Sequence, residues 1–454
     1  MTRLFGTDGV RGVANADLTP ELGFALGRAA GSFIKEKAGP GKRPRMLIGR
    51  DTRASGPMLQ AALAAGFNSV GVDCDLAEVL PTPGVAYLAR VMQYDGAAVI
   101  SASHNPVEDN GIKFFTSGGY KLNDADEDAI EAVTRALLRG EDSLARPVGP
   151  EVGTQRDARH LVDVYIDFLC QTFPLDLSGM EIVVDCANGA VSKIAPAVLE
   201  RLGARVEVLH AEPDGSNINV ACGSTHPSVI CQAVKECGAA IGFTFDGDAD
   251  RVLAADEEGR LVDGDHIMAI LAADMMERRR LKQNKIAVTT YSNLGLKTAL
   301  EALGAGVVET KAGDRYVLEA MLDQGLVLGG EQSGHIILLE HNTTGDGLLT
   351  CLALLDVLTR KAQPLSALAR VMQAFPQILV NVKVADKGAL GGNAAVQQAI
   401  QEAADMIGSR GRIFVRPSGT EPVIRVMGEG QDESVVQRAV DRVVQAIRAE
   451  LGDG

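Results

Sequence analysis

Ile100-Ser101-Ala102-Ser103-His104-Asn105-Pro106 follows the apolar run Gly96-Ala97-Ala98-Val99, and this stretch decides how the chain is read. Residues 96–100 carry no charge and are small or aliphatic, which predicts a short buried strand. Pro106 disfavours helical geometry at Asn105, so the strand must break into a loop. Strand ends are where α/β folds keep their chemistry, and this loop sets a hydroxyl beside an imidazole and an amide. Ser103 is read as the reactive residue. An ordinary turn can hold the same pair, because short motif matches are often fortuitous; recurrence of the pattern decides between the two.

Three later stretches have the same form, an apolar strand breaking into a Gly-rich polar loop: residues 243–251 (FTFDGDADR), 326–335 (LVLGGEQSGH) and 413–425 (IFVRPSGTEPVIR). The second loop offers three carboxylates. The third offers a carboxylate, a hydroxyl and an imidazole, and the fourth two guanidinium forks around a hydroxyl-rich turn. Together they predict one active site.

Around these loops, helical and strand patterns alternate. Thr19-Pro20-Glu21 is an N-cap followed by Pro at the first helical position, with Leu22, Leu26, Ala29 and Phe33 on one face. A strand at 46–49, a helix at 58–67, a strand at 74–79 and a helix at 85–91 lead to the serine loop. Such alternation means crossover connections and a mostly parallel sheet. Asn123-Asp124-Ala125-Asp126-Glu127-Asp128 is read as the capped, acidic opening of a helix ending near Arg139, not as a metal site. Residues 140–154, with Arg146-Pro147-Val148-Gly149-Pro150, form a linker. Two more blocks of the same kind follow, and the chain ends in a smaller part with a strand at 378–384, a helix at 394–407, two strands around Arg416 and a helix at 433–451.

The fold class is α/β: three similar mixed α/β domains with mostly parallel sheets plus a smaller C-terminal α+β domain, with the active site in the central cleft. The expected domains are residues 1–154, 155–257, 258–373 and 374–454. A chain of 454 residues with 46% hydrophobic content has ample material for several cores. Its net charge of -15 argues against nucleic acid and anionic membrane as partners. Seven cysteines without a C-x-x-C pair argue against both a disulfide framework and a zinc site, and read as buried free thiols in a reducing, cytoplasmic setting. The first residues lack an apolar signal region, and no apolar run is long enough to span a bilayer.

The aspartate loop carries the sharpest metal signal. Asp246, Asp248 and Asp250 alternate with small residues, so three hard oxygen donors can converge, and Mg²⁺ suits few carboxylates completed by phosphate and water. An EF-hand would match Glu257 at its twelfth position, but Arg251 stands where that loop needs Gly, and strands flank this one. Arg251 can face the same phosphate as the cation. In the fourth loop Arg416 and Arg425 supply bidentate forks, Ser418 and Thr420 hydroxyls, and Gly419 room for backbone amides to approach an oxyanion. Phosphoryl transfer asks mainly for positioning and charge neutralisation, so a serine, a cation site and a phosphate clamp form a coherent set.

The four loops SASHNP, DGDADR, GEQSGH and RPSGTEP, in this order, resemble those of the α-D-phosphohexomutase superfamily over essentially the whole chain. Phe5-Gly6-Thr7-Asp8-Gly9-Val10-Arg11-Gly12, Ser101-Ala102 and Gln332 are similar to the phosphoglucosamine mutase branch rather than the phosphomannomutase and phosphoglucomutase branch, which is the alternative. The resemblance implies that Ser103 is phosphorylated and that its phosphate, with Asp246, Asp248 and Asp250, holds one Mg²⁺ per subunit. It implies that Glu331 and Ser333 contact sugar hydroxyls, while Arg416, Ser418, Gly419, Thr420 and Arg425 clamp the phosphate not being transferred. Arg11 and Lys113 would lie near the phosphoserine, and Lys113 and His335 are the candidates for proton transfer, Lys113 also as charge stabiliser. Ala249 stands where many members carry Gly, a difference expected to matter little.

The implied reaction interconverts glucosamine 6-phosphate and glucosamine 1-phosphate through a bound 1,6-bisphosphate, for amino-sugar supply to the cell envelope. The implied assembly is a homodimer. Two rival readings are an aspartyl phosphatase using Asp246 as nucleophile and a non-catalytic sugar-phosphate binding protein.

Overall fold

The computed structural model describes residues 3–6, 8–408, 411–418 and 423–452. Strand Gly96–Ile100 is fully buried, as its composition requires, and it lies inside a six-stranded sheet. The order of that sheet is Val10–Val13, Asp109–Thr116, Gly96–Ile100, Arg45–Arg50, Asp73–Val79, Gln155–Asp157. The last four run parallel, and the first two add an antiparallel edge.

Two further sheets repeat this plan. Glu181–Asp185 pairs in parallel with Arg205–Leu209 and Ile241–Phe245, and Val252–Ala255 and Leu261–Val262 extend the sheet antiparallel. Lys285–Thr289 pairs in parallel with Gly306–Thr310 and Leu328–Gly330, and Ile336–Leu338 closes the edge antiparallel. The chain is thus α/β with mixed, mostly parallel sheets and a smaller C-terminal part, as expected. No described helix is long and apolar enough to cross a membrane.

The chain divides into two compact units. The larger, residues 1–291 and 306–370, holds the three sheets. Its helices form where the sequence signals them: Thr19 accepts from Leu22 N ahead of helix Pro20–Ala38, and Asn123 accepts from Asp126 N ahead of helix Asp124–Leu138. The acidic run opening the second helix is paired with Arg3, Lys37 and Arg315 rather than gathered on a cation. Residues 140–154 are pinned rather than free, since Arg43 donates to the carbonyls of Pro150 and Val152.

Helix Pro20–Ala38 crosses helix Gly56–Ser69 at two glycines. A methyl group on Gly27 would lie 2.2 Å from Leu63 O, and one on Gly66 2.3 Å from Phe24 O. Backbone oxygens cannot swing aside, so overpacking outweighs the helix-propensity gain of alanine. Gly27→Ala is expected to lower stability by about 2 kcal/mol, read as a lower denaturant midpoint with activity retained in the folded fraction.

The smaller unit, residues 292–305 and 371–454, is a three-stranded antiparallel sheet, Gln377–Lys383, Val423–Gly430 and Gly411–Pro417, with helices Ala394–Ile407 and Glu433–Leu451. It also takes in helix Leu294–Ala302: Leu294 N donates 2.8 Å to Glu429 Oε1, and Asn293 Nδ2 donates 2.9 Å to Phe375 O.

The cysteines are all free, but not all buried: Cys231 is half-buried and Cys237 exposed. Cys237 ends helix Ser228–Cys237 next to the left-handed Gly238, where the helix face turns to solvent.

Candidate functional site

Ser103 is buried and sits in the left-handed region at φ 54°, a strained backbone for a non-glycine residue. The surrounding donors account for its persistence. Arg53, fully buried and paired with Asp51 at 2.9 Å, donates through Nη2 to Ser103 O (3.1 Å) and Asn105 O (2.9 Å) and through Nη1 to Pro106 O. Asn219 Nδ2 donates 2.8 Å to the same Ser103 carbonyl. Ser103 N donates 2.9 Å to Ser101 Oγ, which donates 2.6 Å to Asp51. The Oγ of Ser103 is left pointing at chemistry: it donates 2.6 Å to Asp246 Oδ2 and lies 3.2 Å from His104 Nδ1. Burial and the neighbouring Arg251 push the His104 pKa down to about 4, so its ring is neutral at pH 7.

The aspartate loop is the turn between strands Ile241–Phe245 and Val252–Ala255. It approaches the serine loop so closely that a methyl group on Gly247 would lie 2.6 Å from Ser103 O. Oxygens of Asp246, Asp248 and Asp250 lie within 4.8 Å of one another, and all three residues are buried. Burial, then Asp250 and Asp248, hold the Asp246 carboxyl well above its usual range. Asp248 Oδ1 and Asp250 Oδ1 are buried without hydrogen-bond partners. The donor set therefore fits a hard divalent cation. Ala249 has φ 55°, which explains why glycine suits that position and why alanine there costs about 1 kcal/mol.

Lys113 lies on strand Asp109–Thr116, its ammonium 3.0 Å from both Asp8 and Asp248. Burial works against its charge, but Asp248 and Asp8 outweigh it and raise its pKa, so Lys113 is an ammonium at neutral pH. Asp8 also pairs with Arg11 and Lys121, and Lys121 continues to Asp314. Arg11 and Arg251 each keep a buried Nε without a hydrogen-bond partner.

The GEQSGH loop is the hairpin turn between strands Leu328–Gly330 and Ile336–Leu338. Gly334 O accepts 3.1 Å from Val252 N, which ties this turn to the end of the aspartate loop. Glu331 is half-buried and takes the amide of Gly313 at 3.2 Å, while Ser333 is exposed. His335 is 2% exposed, its Nδ1 3.5 Å from Asp250 and its Nε2 accepting 3.1 Å from Gly345 N. Burial opposes its charge, but Asp250, Asp314 and Glu331 prevail and its pKa stands above the ordinary value.

Ser103, His104, Arg11, Lys113, the three aspartates, Arg251 and His335 thus form one connected cluster in the larger unit. Arg416 and Arg425 belong to the smaller unit, directly opposed on adjacent strands, with Ser418 buried beside them and its carbonyl taking Lys387 Nζ at 2.8 Å. Gly419 and Thr420 lie outside the described residues.

Several participants were not singled out in the sequence. Asp51 and Arg53 directly follow the strand at 46–49, a strand-end position like that of the serine loop. Thr82, which donates 2.6 Å to Asp248, and Asn219 carry no local signal.

Models of the phosphoglucomutase/phosphomannomutase family match along the chain: α/β/α domain I at residues 2–139, domain II at 163–259, domain III at 263–375 and the C-terminal domain at 379–446. The chain is 54% identical over 437 residues to the phosphoglucosamine mutase of Moorella thermoacetica, covering 96% of this chain and 97% of the relative. To the phosphoglucosamine mutase of Shouchella clausii it is 49% identical, with 100% of both chains covered. A phosphoglucomutase/phosphomannomutase family protein of Burkholderia thailandensis has the same fold, with TM-score 0.81 at 23% identity and full coverage of both chains. N-acetylphosphoglucosamine mutase of Aspergillus fumigatus, solved with GlcNAc-6P and magnesium, superposes with TM-score 0.71 at 19% identity over 98% of this chain and 95% of that one. The chain belongs to the phosphoglucosamine mutase family of the α-D-phosphohexomutase superfamily.

Proposed function

We propose that this isomerase interconverts glucosamine 6-phosphate and glucosamine 1-phosphate by way of phosphorylated Ser103 and a bound glucosamine 1,6-bisphosphate, supplying UDP-N-acetylglucosamine and cell-wall synthesis in the cytoplasm. The observation that carries this reading is the Ser103 hydroxyl, held in a strained loop 2.6 Å from the first of three converging carboxylates. Asp246, Asp248 and Asp250, with an oxygen of the phosphoserine, would hold Mg²⁺, which when bound neutralises charge on the phosphoryl group.

The remaining roles rest on the chemistry of each side chain. The Nε groups of Arg11 and Arg251, which make no hydrogen bond, are donors for the Ser103 phosphate, and the Lys113 ammonium stabilises charge as the phosphoryl moves to O1. Glu331 and Ser333 hold sugar hydroxyls. Arg416, Ser418, Gly419, Thr420 and Arg425 grip the other phosphate, two opposed guanidiniums being suited to bidentate contact. His335 exchanges a proton through Nε2 once the Gly345 amide lets go. After the bisphosphate reverses in the site, its 6-phosphoryl returns to Ser103 and the 1-phosphate leaves. The assembly is a homodimer.

Phosphorus NMR of Ser103-phosphorylated enzyme with Mg²⁺ and the 6-phosphates of glucosamine, glucose and mannose tests this. The expected kcat/KM favours glucosamine 6-phosphate by about tenfold or more. Preference for glucose or mannose would move the chain to the phosphomannomutase/phosphoglucomutase reaction, and absence of turnover would make it a binding protein.

A further inference from the structure

A second group of metal-ligating side chains lies in the same sheet as the aspartate loop and takes no part in the chemistry above. Asp185 ends strand Glu181–Asp185, and His210 directly follows the neighbouring parallel strand Arg205–Leu209, where Leu209 is opposite Asp185 in register. Strand Glu181–Asp185 lies between Arg205–Leu209 and Ile241–Phe245, so successive connections leave it on opposite sides. The carboxyl ends of strands at such a reversal are where open α/β sheets bind ligands.

Here the segment Cys222-Gly223-Ser224 enters that crevice. Gly223 N donates 2.8 Å to Asp185 Oδ2, and Ser224 N donates 2.8 Å to Phe245 O. As a result one donor atom each of Asp185, His210 and Cys222 lie within 4.8 Å of one another. His210 Nδ1 is 3.1 Å from Asp185 Oδ1, about the spacing of two ligands on a tetrahedral zinc with bonds near 2.0 Å. Asp185 and Cys222 are buried, whereas the His210 side chain is 35% exposed, which leaves an entry path and room for water as a further ligand. Among the described residues, no other cysteine has two further ligands within such reach.

We propose that Asp185, His210 and Cys222 bind a thiophilic divalent cation, of the zinc and cobalt class, at a site separate from the aspartate cluster. Oxygen, nitrogen and sulfur together suit a borderline-soft ion, whereas the aspartate cluster offers oxygen alone. On binding, the Cys222 thiol loses its proton to solvent and a metal–sulfur bond forms. Asp185 Oδ1 exchanges its contact with His210 for the cation and keeps the amide of Ala187, 3.0 Å away. Without metal the sulfur is inert, since burial pushes the Cys222 thiol up to about 12. The occupied site restrains the segment that braces the reactive loop, because Asn219, three residues before Cys222, holds the Ser103 carbonyl.

Cobalt(II) is the probe. A single equivalent added to the reduced full-length chain, in a Cys237→Ser background that removes the exposed thiol, is expected to give the near-ultraviolet charge-transfer band of a cobalt–thiolate bond. Cys222→Ser abolishes the band, His210→Ala weakens cobalt affinity by about tenfold or more, and Asp246→Asn leaves the band in place. No band in the parent chain, or a band that survives Cys222→Ser, overturns the proposal. Should Cys222→Ser fail to fold by circular dichroism, the half-exposed His210 carries the test, and unchanged cobalt affinity in His210→Ala overturns it equally.

Discussion

Ser103→Ala is expected to give a folded chain that carries no covalent phosphate and whose kcat is lower by about 10⁴-fold or more, because the oxygen that hands over the phosphoryl in the first half-reaction and attacks in the second is gone. The fold should survive. The braces on this loop grip its backbone rather than the Ser103 hydroxyl: Arg53 and Asn219 hold the Ser103 carbonyl, Ser101 takes its amide, and Arg53 also holds the carbonyls of Asn105 and Pro106. Losing the hydroxyl forfeits its bond to Asp246, a cost of about 1 kcal/mol. Phosphopeptide mapping of the parent chain and turnover of the variant check both halves. Phosphate found on Asp246, with activity retained in Ser103→Ala, would replace the mutase chemistry by aspartyl transfer.

Lys113→Met is expected to cost about 3–5 kcal/mol of stability in the metal-free chain, since it strips the cation from the buried Asp248 carboxylate. Lys113 is 3.0 Å from Asp8 and from Asp248, and the latter has no other cation within salt-bridge distance among the described residues. Activity should fall by about 10²-fold or more, as charge on the moving phosphoryl group loses its buried ammonium. Magnesium separates the two roles. A cation held by the aspartates compensates Asp248, so added Mg²⁺ should raise the denaturation midpoint of the variant more than that of the parent. Equal shifts would mean that Asp248 is not a ligand.

The parts legible in the sequence are those whose signal is local. Residues 96–100 have a strand's composition, Thr19 and Asn123 cap helices beside the patterns they start, and the aspartates alternate within five residues. What escaped is written across long separations. Strand Val10–Val13 contains two apolar residues and makes sense only against Asp109–Thr116. The bridge from Asp8 through Lys121 to Asp314 spans gaps of 113 and 193 residues, each member ordinary in its own neighbourhood. Cysteine spacing argued against a soft-metal site, yet strand register sets Asp185, His210 and Cys222 together, which no spacing rule for consecutive ligands would find. Helix Leu294–Ala302 has the length and place of a crossover helix in the third block, but its capping residues bond to Phe375 and Glu429 in the smaller unit.

That last feature bears on how the protein is made. Helix Leu294–Ala302 leaves the ribosome well before residues 371–454, on which its end contacts depend. At roughly 5–20 residues per second, the partner Glu429 arrives on the order of ten seconds later. Through that interval Leu296 and Leu300, both fully buried in the folded chain, have no finished unit to enter. A nascent chain stalled near residue 370 would lack the rest of the unit to which these leucines belong, and its unburied apolar surface is expected to draw chaperones and proteases.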